Sequence, residues 1–374
     1  MRANVVEHPD AIAALRPDWR RLAERRGNFF ISPQWAEAWL TTFGSERPFI
    51  VAVRDGDERL RGVLPLVMAA GRPRTLRFAG AALGDDFHPA AAVADEAAVA
   101  AATAALLDER RSQWSLLALE NITAEEGWPR RLARGLTTFT RPAEGHFEIA
   151  LDGMSWEEYL ASRSGNFRQD LRRKERRLGE HAVRYRRTDS EDTLENDLAT
   201  FFALHDLRWS DPGASTLAGS GARDFVRTLA RAALAEGWLR LWFLELDGRP
   251  AAAWLGWRVA DRYAYYQFGR DPSFARHSLG LLLLARTVRD ACEEGAAVYD
   301  LLAGTESYKR RFATSEHATT TIVVSRRLHP ATALAAADVG LRRASRALPP
   351  GVRDRAQRAA RRLLRKLPTS PPSA

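Results

Sequence analysis

A single cysteine, Cys292, in 374 residues leaves no partner for an intramolecular disulfide and no thiol set for a zinc cluster. It sits in the apolar run Leu281-Leu-Leu-Leu-Ala-Arg-Thr-Val-Arg-Asp-Ala-Cys292, where it reads as a buried small hydrophobe, and a reducing compartment is expected. No apolar run approaches the ~20 residues that a membrane-spanning helix needs. The opening Met1-Arg-Ala-Asn-Val-Val-Glu-His has no apolar stretch behind its charges, so the expected location is cytoplasmic. Phosphate and nucleophile signatures are missing too. There is no G-x-x-x-x-G-K-S/T, no G-x-G-x-x-G and no G-x-S-x-G, which removes support from kinase, dehydrogenase and elbow-hydrolase readings. The eight histidines are scattered singly, without H-E-x-x-H, and no metal is expected. Disorder is not the default either, because 45% hydrophobic residues over this length suffice for two cores.

What is present is a repetition. Phe49-Ile-Val-Ala-Val-Arg, Asp55-Gly56-Asp57 and Leu60-Arg-Gly-Val-Leu-Pro-Leu-Val67 form one hairpin pattern. Leu239-Arg-Leu-Trp-Phe-Leu-Glu-Leu246, Asp247-Gly248 and Ala251-Ala-Ala-Trp-Leu-Gly-Trp-Arg-Val259 form a second, 192 residues on. Asp-Gly between apolar runs signals a hairpin because glycine accepts the positive φ that the turn requires. Matching elements flank both copies. In the first half, helices are expected at 18–26, 33–43, 95–111 and 126–138, and strands at 49–54, 60–68, 74–79, 115–120 and 145–151. Ser32 before Pro33 is a helix start, and Ser155 with Glu158 makes a capping box. In the second half, helices are expected at 166–180, 191–209, 221–236 and 306–312, with another running from a Ser278 N-cap to 294. Strands are expected at 239–246, 250–259, 262–268, 298–302 and 319–325. The sum is an α/β chain with mixed sheets: a tandem pair of domains, 1–151 and 152–328, followed by a basic Ala/Arg-rich tail, 329–374.

The net charge of +9 is local. The tail holds ten Lys/Arg against Asp338 and Asp354, and 163–187 holds ten against Asp170, Glu175 and Glu180, which leaves −6 on the rest. The helix at 166–177 is either a solvated surface or a polyanion-binding face. In the tail, Val352, Ala356, Ala359, Ala360, Leu363, Leu364 and Leu367 line one stripe of a basic amphipathic helix. Such a helix suits an anionic membrane surface, a protein partner or plain solvent.

Chemistry-bearing residues concentrate between Tyr263 and Phe312. The strand Tyr263-Ala-Tyr-Tyr-Gln-Phe268, a loop through Arg276 and a helix opening at Ser278-Leu-Gly280 offer backbone N–H groups to a phosphate or carboxylate. Tyr299-Asp300-Leu-Leu-Ala-Gly304-Thr-Glu306-Ser-Tyr308-Lys309-Arg-Arg-Phe312 brings an acid, a phenol and an ammonium to the end of a strand, where ligands collect in open α/β sheets.

These runs, "F-G", "S-x-G-x-L-L-L", "Y-D-L-L-A-G" and "Y-K-R-R-F", resemble the GNAT superfamily of N-acyltransferases. The resemblance is closest to the double-domain branch of CelD-like and Fem-like proteins from bacterial polysaccharide and cell-wall contexts. It spans roughly 28–326, and Gly84-Asp85-Asp86-Phe87 resembles an Asp-aromatic element of that branch. The resemblance implies acyl transfer to a small-molecule or glycan amine, with acyl-CoA as donor. The Fem-like alternative is aminoacyl-tRNA, and a non-catalytic accessory protein of polysaccharide synthesis is the rival from another class. It further implies that Arg276, His277, Ser278, Leu279 and Gly280 occupy the donor-phosphate loop. The loop departs from Q/R-x-x-G-x-G/A, since Arg276-His-Ser-Leu-Gly280-Leu displaces the first glycine and lacks the second.

Aminolysis of an acyl ester needs a base, an oxyanion stabiliser and an acid for the leaving group. Asp300 or Asp86 is the candidate base, Tyr308 the acid and Lys309 the charge stabiliser. The bland readings are a turn cap for Asp300, a core aromatic for Tyr308 and a solvated charge for Lys309. Gln267, Asp85 and Trp209 are candidate substrate contacts. His205 and Trp209 share one helix face, for which core packing is the simpler reading.

Overall fold

A computed structural model describes residues 1–123, 127–208, 217, 219–304, 306–326, 330–333 and 335–337. The tail stripe at 352–367 and Trp209 therefore lie outside the described residues.

The first half runs β1 (Arg2–Val6), α1 (Pro9–Arg26), α2 (Pro33–Thr42), β2 (Arg47–Arg54), β3 (Leu60–Met68), β4 (Thr75–Phe78), β5 (Ala90–Ala91), α3 (Glu96–Glu109), β6 (Leu116–Thr123), α4 (Trp128–Leu132) and β7 (Thr137–Pro142). The rest runs β8 (His146–Ala150), α5 (Trp156–Ser162), α6 (Gly165–Arg177), β9 (Val183–Arg187), α7 (Glu191–Arg208), α8 (Ser220–Ala235), β10 (Leu239–Leu246), β11 (Arg249–Val259) and β12 (Arg262–Arg270). It ends with α9 (Leu279–Glu293), β13 (Val298–Ala303), α10 (Ser307–Phe312), β14 (Ser315–His317) and β15 (Thr319–Ser325). No helix among the described residues is long and apolar enough to cross a membrane.

Local signals explain many of these ends. Ser32 accepts from the Trp35 amide ahead of α2, and Ser155 and Glu158 close the expected capping box on α5. The Asp247-Gly248 turn has φ of +51° and +77°, the pair of positive values that a tight hairpin requires. Asp55-Gly56 turns differently: Glu58 takes the positive φ, and the Asp55 carboxylate accepts from the Asp57 and Arg59 amides. The helix expected at 126–138 is one short α4 that stops at the Ala133 C-cap; Gly135 at φ +79° turns the chain after it, and the alternating Thr137-Thr-Phe-Thr then forms β7.

The two sheets repeat one plan. The first is ordered β1-β2-β3-β4-β6-β15-β7, with β5 beside β3, and the second β9-β10-β11-β12-β13-β8-β14. In each, four antiparallel strands lead to one parallel pair, β4/β6 or β12/β13. The next position is exchanged. β15 from the end of the chain completes the first sheet between β6 and β7, and β8 from the first half completes the second between β13 and β14. The expected cut between 151 and 152 therefore corrects to an interlock, because hydrogen-bonded neighbours in a sheet need not be neighbours in sequence. One apolar core spans the halves: Phe29 stacks on Trp257 at 4.4 Å, and Phe225 of α8 meets Trp35 of α2 edge-on at 4.9 Å. A second core packs α5, α6 and α9 against the other face of the second sheet.

Candidate active site

Strands β12 and β13 pair only where Arg262–Ala264 meets Val298–Asp300, and then diverge as β13 turns to β8. The split opens into a cleft of about 630 Å³ between the halves. Tyr265, Gln267, Phe268, Leu302, Ala303 and Lys309 line it from the second half, and Phe30, Asp85, Glu120 and Arg141 from the first. The equivalent split in the first half, between β4 and β6, is filled. Phe87 stacks on Phe78 at 5.2 Å, Trp128 abuts the same ring at 6.2 Å, and the Trp35 indole donates to Ala79 O at 2.9 Å.

A bulge in β13 shapes the cleft floor. Leu302 has φ +56°, a left-handed conformation that costs a branched residue about 1–2 kcal/mol. Asp300 holds it, its Oδ1 accepting from Leu302 N at 2.7 Å. The bulge frees both peptide groups of Ala303: its N–H donates to Asp85 Oδ2 at 2.6 Å, and its C=O accepts from Lys309 Nζ at 2.6 Å. Gly304 follows, and a Cβ there would displace the Glu306 carboxylate and the Lys309 ammonium from their present places.

Lys309 is buried, 3% exposed, so it is no solvated helix charge. Of its three N–H bonds, one goes to Ala303 and a second faces Glu306 Oε2 at 3.3 Å, and the third has no hydrogen-bond partner among the described residues. Tyr308 does not line the cleft; its hydroxyl donates to Tyr265 OH at 3.3 Å, and burial pushes its pKa up. Gln267 lines the cleft and pairs with the buried His205 side chain.

The three aspartates separate in role. Asp85 alone lines the cleft, with burial pushing its carboxyl pKa up against the pull of His146. Asp86, at φ +49°, turns away to accept from Asn28 Nδ2 at 3.1 Å and lines a second cavity of about 370 Å³ with His88, His146 and Arg262. Asp300 is enclosed: His146 Nε2 lies 2.8 Å from its Oδ1, and Arg262 Nη2 lies 3.3 Å from its Oδ2. Burial disfavours the Asp300 carboxylate, but His146 and Arg262 bring its pKa below the usual range. His146 follows the same logic inverted. Burial pulls it down, and Asp300 more than offsets that, raising it to about 10. His146, Glu148 and Asp300 have the spacing of a metal site. Arg262 already supplies a cation there, 2.5 Å from Glu148 Oε1. None of His146, Glu148 or Arg262 stood out in the sequence, because β8 joins the second sheet only in three dimensions.

The expected phosphate loop does not itself line this cleft, though Gly280 abuts Phe268, which does. A 3-10 turn, Pro272–His277, leads to Ser278 at φ +56°. Ser278 caps nothing, contrary to expectation, because a left-handed residue does not fold its hydroxyl over the first turn of α9. Its Oγ instead accepts from Lys174 Nζ of α6 at 2.9 Å. Arg276 is exposed and donates to the buried His277 Nε2 at 2.9 Å, while Leu279 is buried and Gly280 faces Phe268.

Residues 165–310 match the family described as Acetyltransferase (GNAT) domain. In fold, the chain is similar to FemX, with a TM-score of 0.62 and 11% identity over 86% of this chain and 97% of that one. It is also similar to a conserved protein of unknown function from Bacteroides thetaiotaomicron, with a TM-score of 0.55 and 11% identity over 86% and 99%. L-PGS from Bacillus licheniformis follows, with a TM-score of 0.53 and 14% identity over 88% and 95%. No curated protein matches the sequence.

Proposed function

The chain belongs to the GNAT superfamily through its residues 165–310 and has the double-domain fold of the Fem-like branch, and from this premise we propose that it is an N-acyltransferase. It moves an acyl group from a phosphate-bearing carrier of the acyl-CoA type to an amine of a small molecule or glycan, in polysaccharide or cell-envelope metabolism. The observation that carries the reading is the single open strand split, with a buried ammonium, Lys309, at its end and a carboxylate of raised pKa, Asp85, beside it. The matching split in the first half is plugged by Phe87 and Trp128, so one donor is bound per chain.

In this reading the acyl carbonyl lies against the bulge, where the third N–H of Lys309 meets the developing oxyanion. The amine nitrogen attacks the carbonyl carbon and passes its proton to Asp85. The bond from carbon to the carrier's sulfur or oxygen then breaks, and the leaving group takes up a proton from solvent or from a neighbouring hydroxyl. Asp300 acts as a positioning residue, holding Leu302 in the strained turn that aims Ala303.

An aminoacyl-tRNA donor is the second reading. It is favoured by α6, whose Lys174 reaches Ser278 while Arg172, Arg173, Arg176 and Arg177 share the same helix, and by the missing second glycine of the loop. A thermal-shift and single-turnover screen with acetyl-CoA, longer acyl-CoAs and aminoacyl-tRNA decides between them. Stabilisation by one donor class and transfer to an amine support the assignment, and no shift with any donor supports an accessory protein that keeps the fold.

A further inference from the structure

Resting on the reading of the cleft as an acyl-transfer site, one residue on its first-half wall points to the acceptor. Glu120 lines the cleft from β6, directly before Asn121, whose φ of +54° breaks the register with β15. Its Oε2 is enclosed and has no hydrogen-bond partner, and among the described residues no side chain pairs with it. The adjacent Asn121 amide is committed to Gly84 O at 3.1 Å. Glu144, exposed, lines the same wall.

Among the described residues, the two other enclosed carboxylate oxygens that lack a hydrogen bond, Glu96 Oε1 and Glu306 Oε2, have cations beside them, Arg26 at 2.8 Å and Lys309 at 3.3 Å, and further enclosed carboxylates are compensated. Asp300 has His146 and Arg262, Asp197 has Arg186 and Thr188, and Glu294 has Arg187, Arg240 and Arg258. A carboxylate oxygen taken from water without a partner is costly, and folded proteins pair such groups. The exception faces a ligand-sized cavity, so its partner enters with the ligand.

We propose that Glu120 seats a positively charged group of the acceptor, separate from the amine that is acylated. The separation follows from charge: a carboxylate in contact stabilises the protonated form of an amine, and an ammonium has no lone pair with which to attack a carbonyl. The acceptor is then a dication before reaction, either a free diamine or a basic amino-acid unit, with one cationic group on Glu120 and the other end free to lose its proton at Asp85.

Isothermal titration of the full chain with 1,5-diaminopentane, lysinamide and n-pentylamine tests this without any acyl donor. The expected result is that wild type binds at least one dication roughly tenfold or more tighter than pentylamine, the usual worth of one charge-assisted hydrogen bond. Preference for lysinamide identifies an amino-acid unit, and preference for the diamine a free polyamine. Glu120→Gln removes the preference, whereas Glu120→Asp, which keeps the charge, retains part of it. Equal affinity for monoamine and dications in wild type, binding of none of them, or an unchanged preference in Glu120→Gln overturns the proposal. A Glu120-dependent preference in a protein that transfers no acyl group would leave the cation site standing and remove the acyltransferase reading instead.

Discussion

Replacing Asp300 by Asn keeps the size of the side chain and an oxygen for the Leu302 amide, but deletes the negative charge between His146 and Arg262. His146 is then a buried cation and Arg262 a half-buried one, with Glu148 the remaining counter-charge in contact with Arg262. Removing one member of a buried pair costs about 3–5 kcal/mol. The His146 pKa gives a compatible figure, because a rise from 6.5 to about 10 corresponds to roughly 4–5 kcal/mol at about 1.4 kcal/mol per tenfold. With an unfolding entropy of about 2.1 cal/mol/K per residue, such a loss lowers the melting temperature of this chain by about 4–6 °C. The pH dependence is more specific than the size. A histidine whose pKa is raised on folding contributes fully below its unfolded value of 6.5, and that contribution is lost as pH climbs toward about 10. The gap between wild type and Asp300→Asn is therefore widest at pH 6 and narrows by pH 10. Thermal melts followed by circular dichroism at pH 6, 8 and 10 read it directly. A gap that stays constant or widens with pH would refute a charged His146–Asp300 pair.

Three further outcomes follow from the same geometry. Lys309→Ala lowers the single-turnover rate of acyl transfer by ~10²–10³, the usual loss for one stabiliser of a developing oxyanion, whereas Tyr308→Phe changes it less than about tenfold because its hydroxyl, off the cleft lining, bonds to Tyr265. Asp85→Asn lowers the rate by ~10²–10⁴ and removes the acidic limb of the pH–rate profile; an unchanged limb assigns the base elsewhere. A chain ending at residue 318 loses β15 from between β6 and β7 and is expected to give no cooperative melt, while a chain ending at residue 350 melts within about 2 °C of the full chain.

The Asp-Gly hairpins, the capping box at Ser155 and the repeated order of elements were legible in the sequence because each is a local rule, spelled within a few residues of the atoms it governs. The carboxyl ends of β12 and β13 were singled out from the sequence for the same reason, and Lys309, Gln267 and Asp85 line a cleft there. Other features depend on pairs distant in sequence. Asp85 meets Ala303, His146 meets Asp300, and β8 and β15 trade sheets, over separations of about 150 to 218 residues that no periodicity encodes. Nor does composition distinguish Asp85 from Asp86. A positive φ at Asp86 turns one carboxylate to Asn28 and leaves the other on the cleft. The residue types were set by the sequence, while burial and the partner across the sheet, which exist only once both halves interlock, decided which of those charges are compensated and which remain for a ligand.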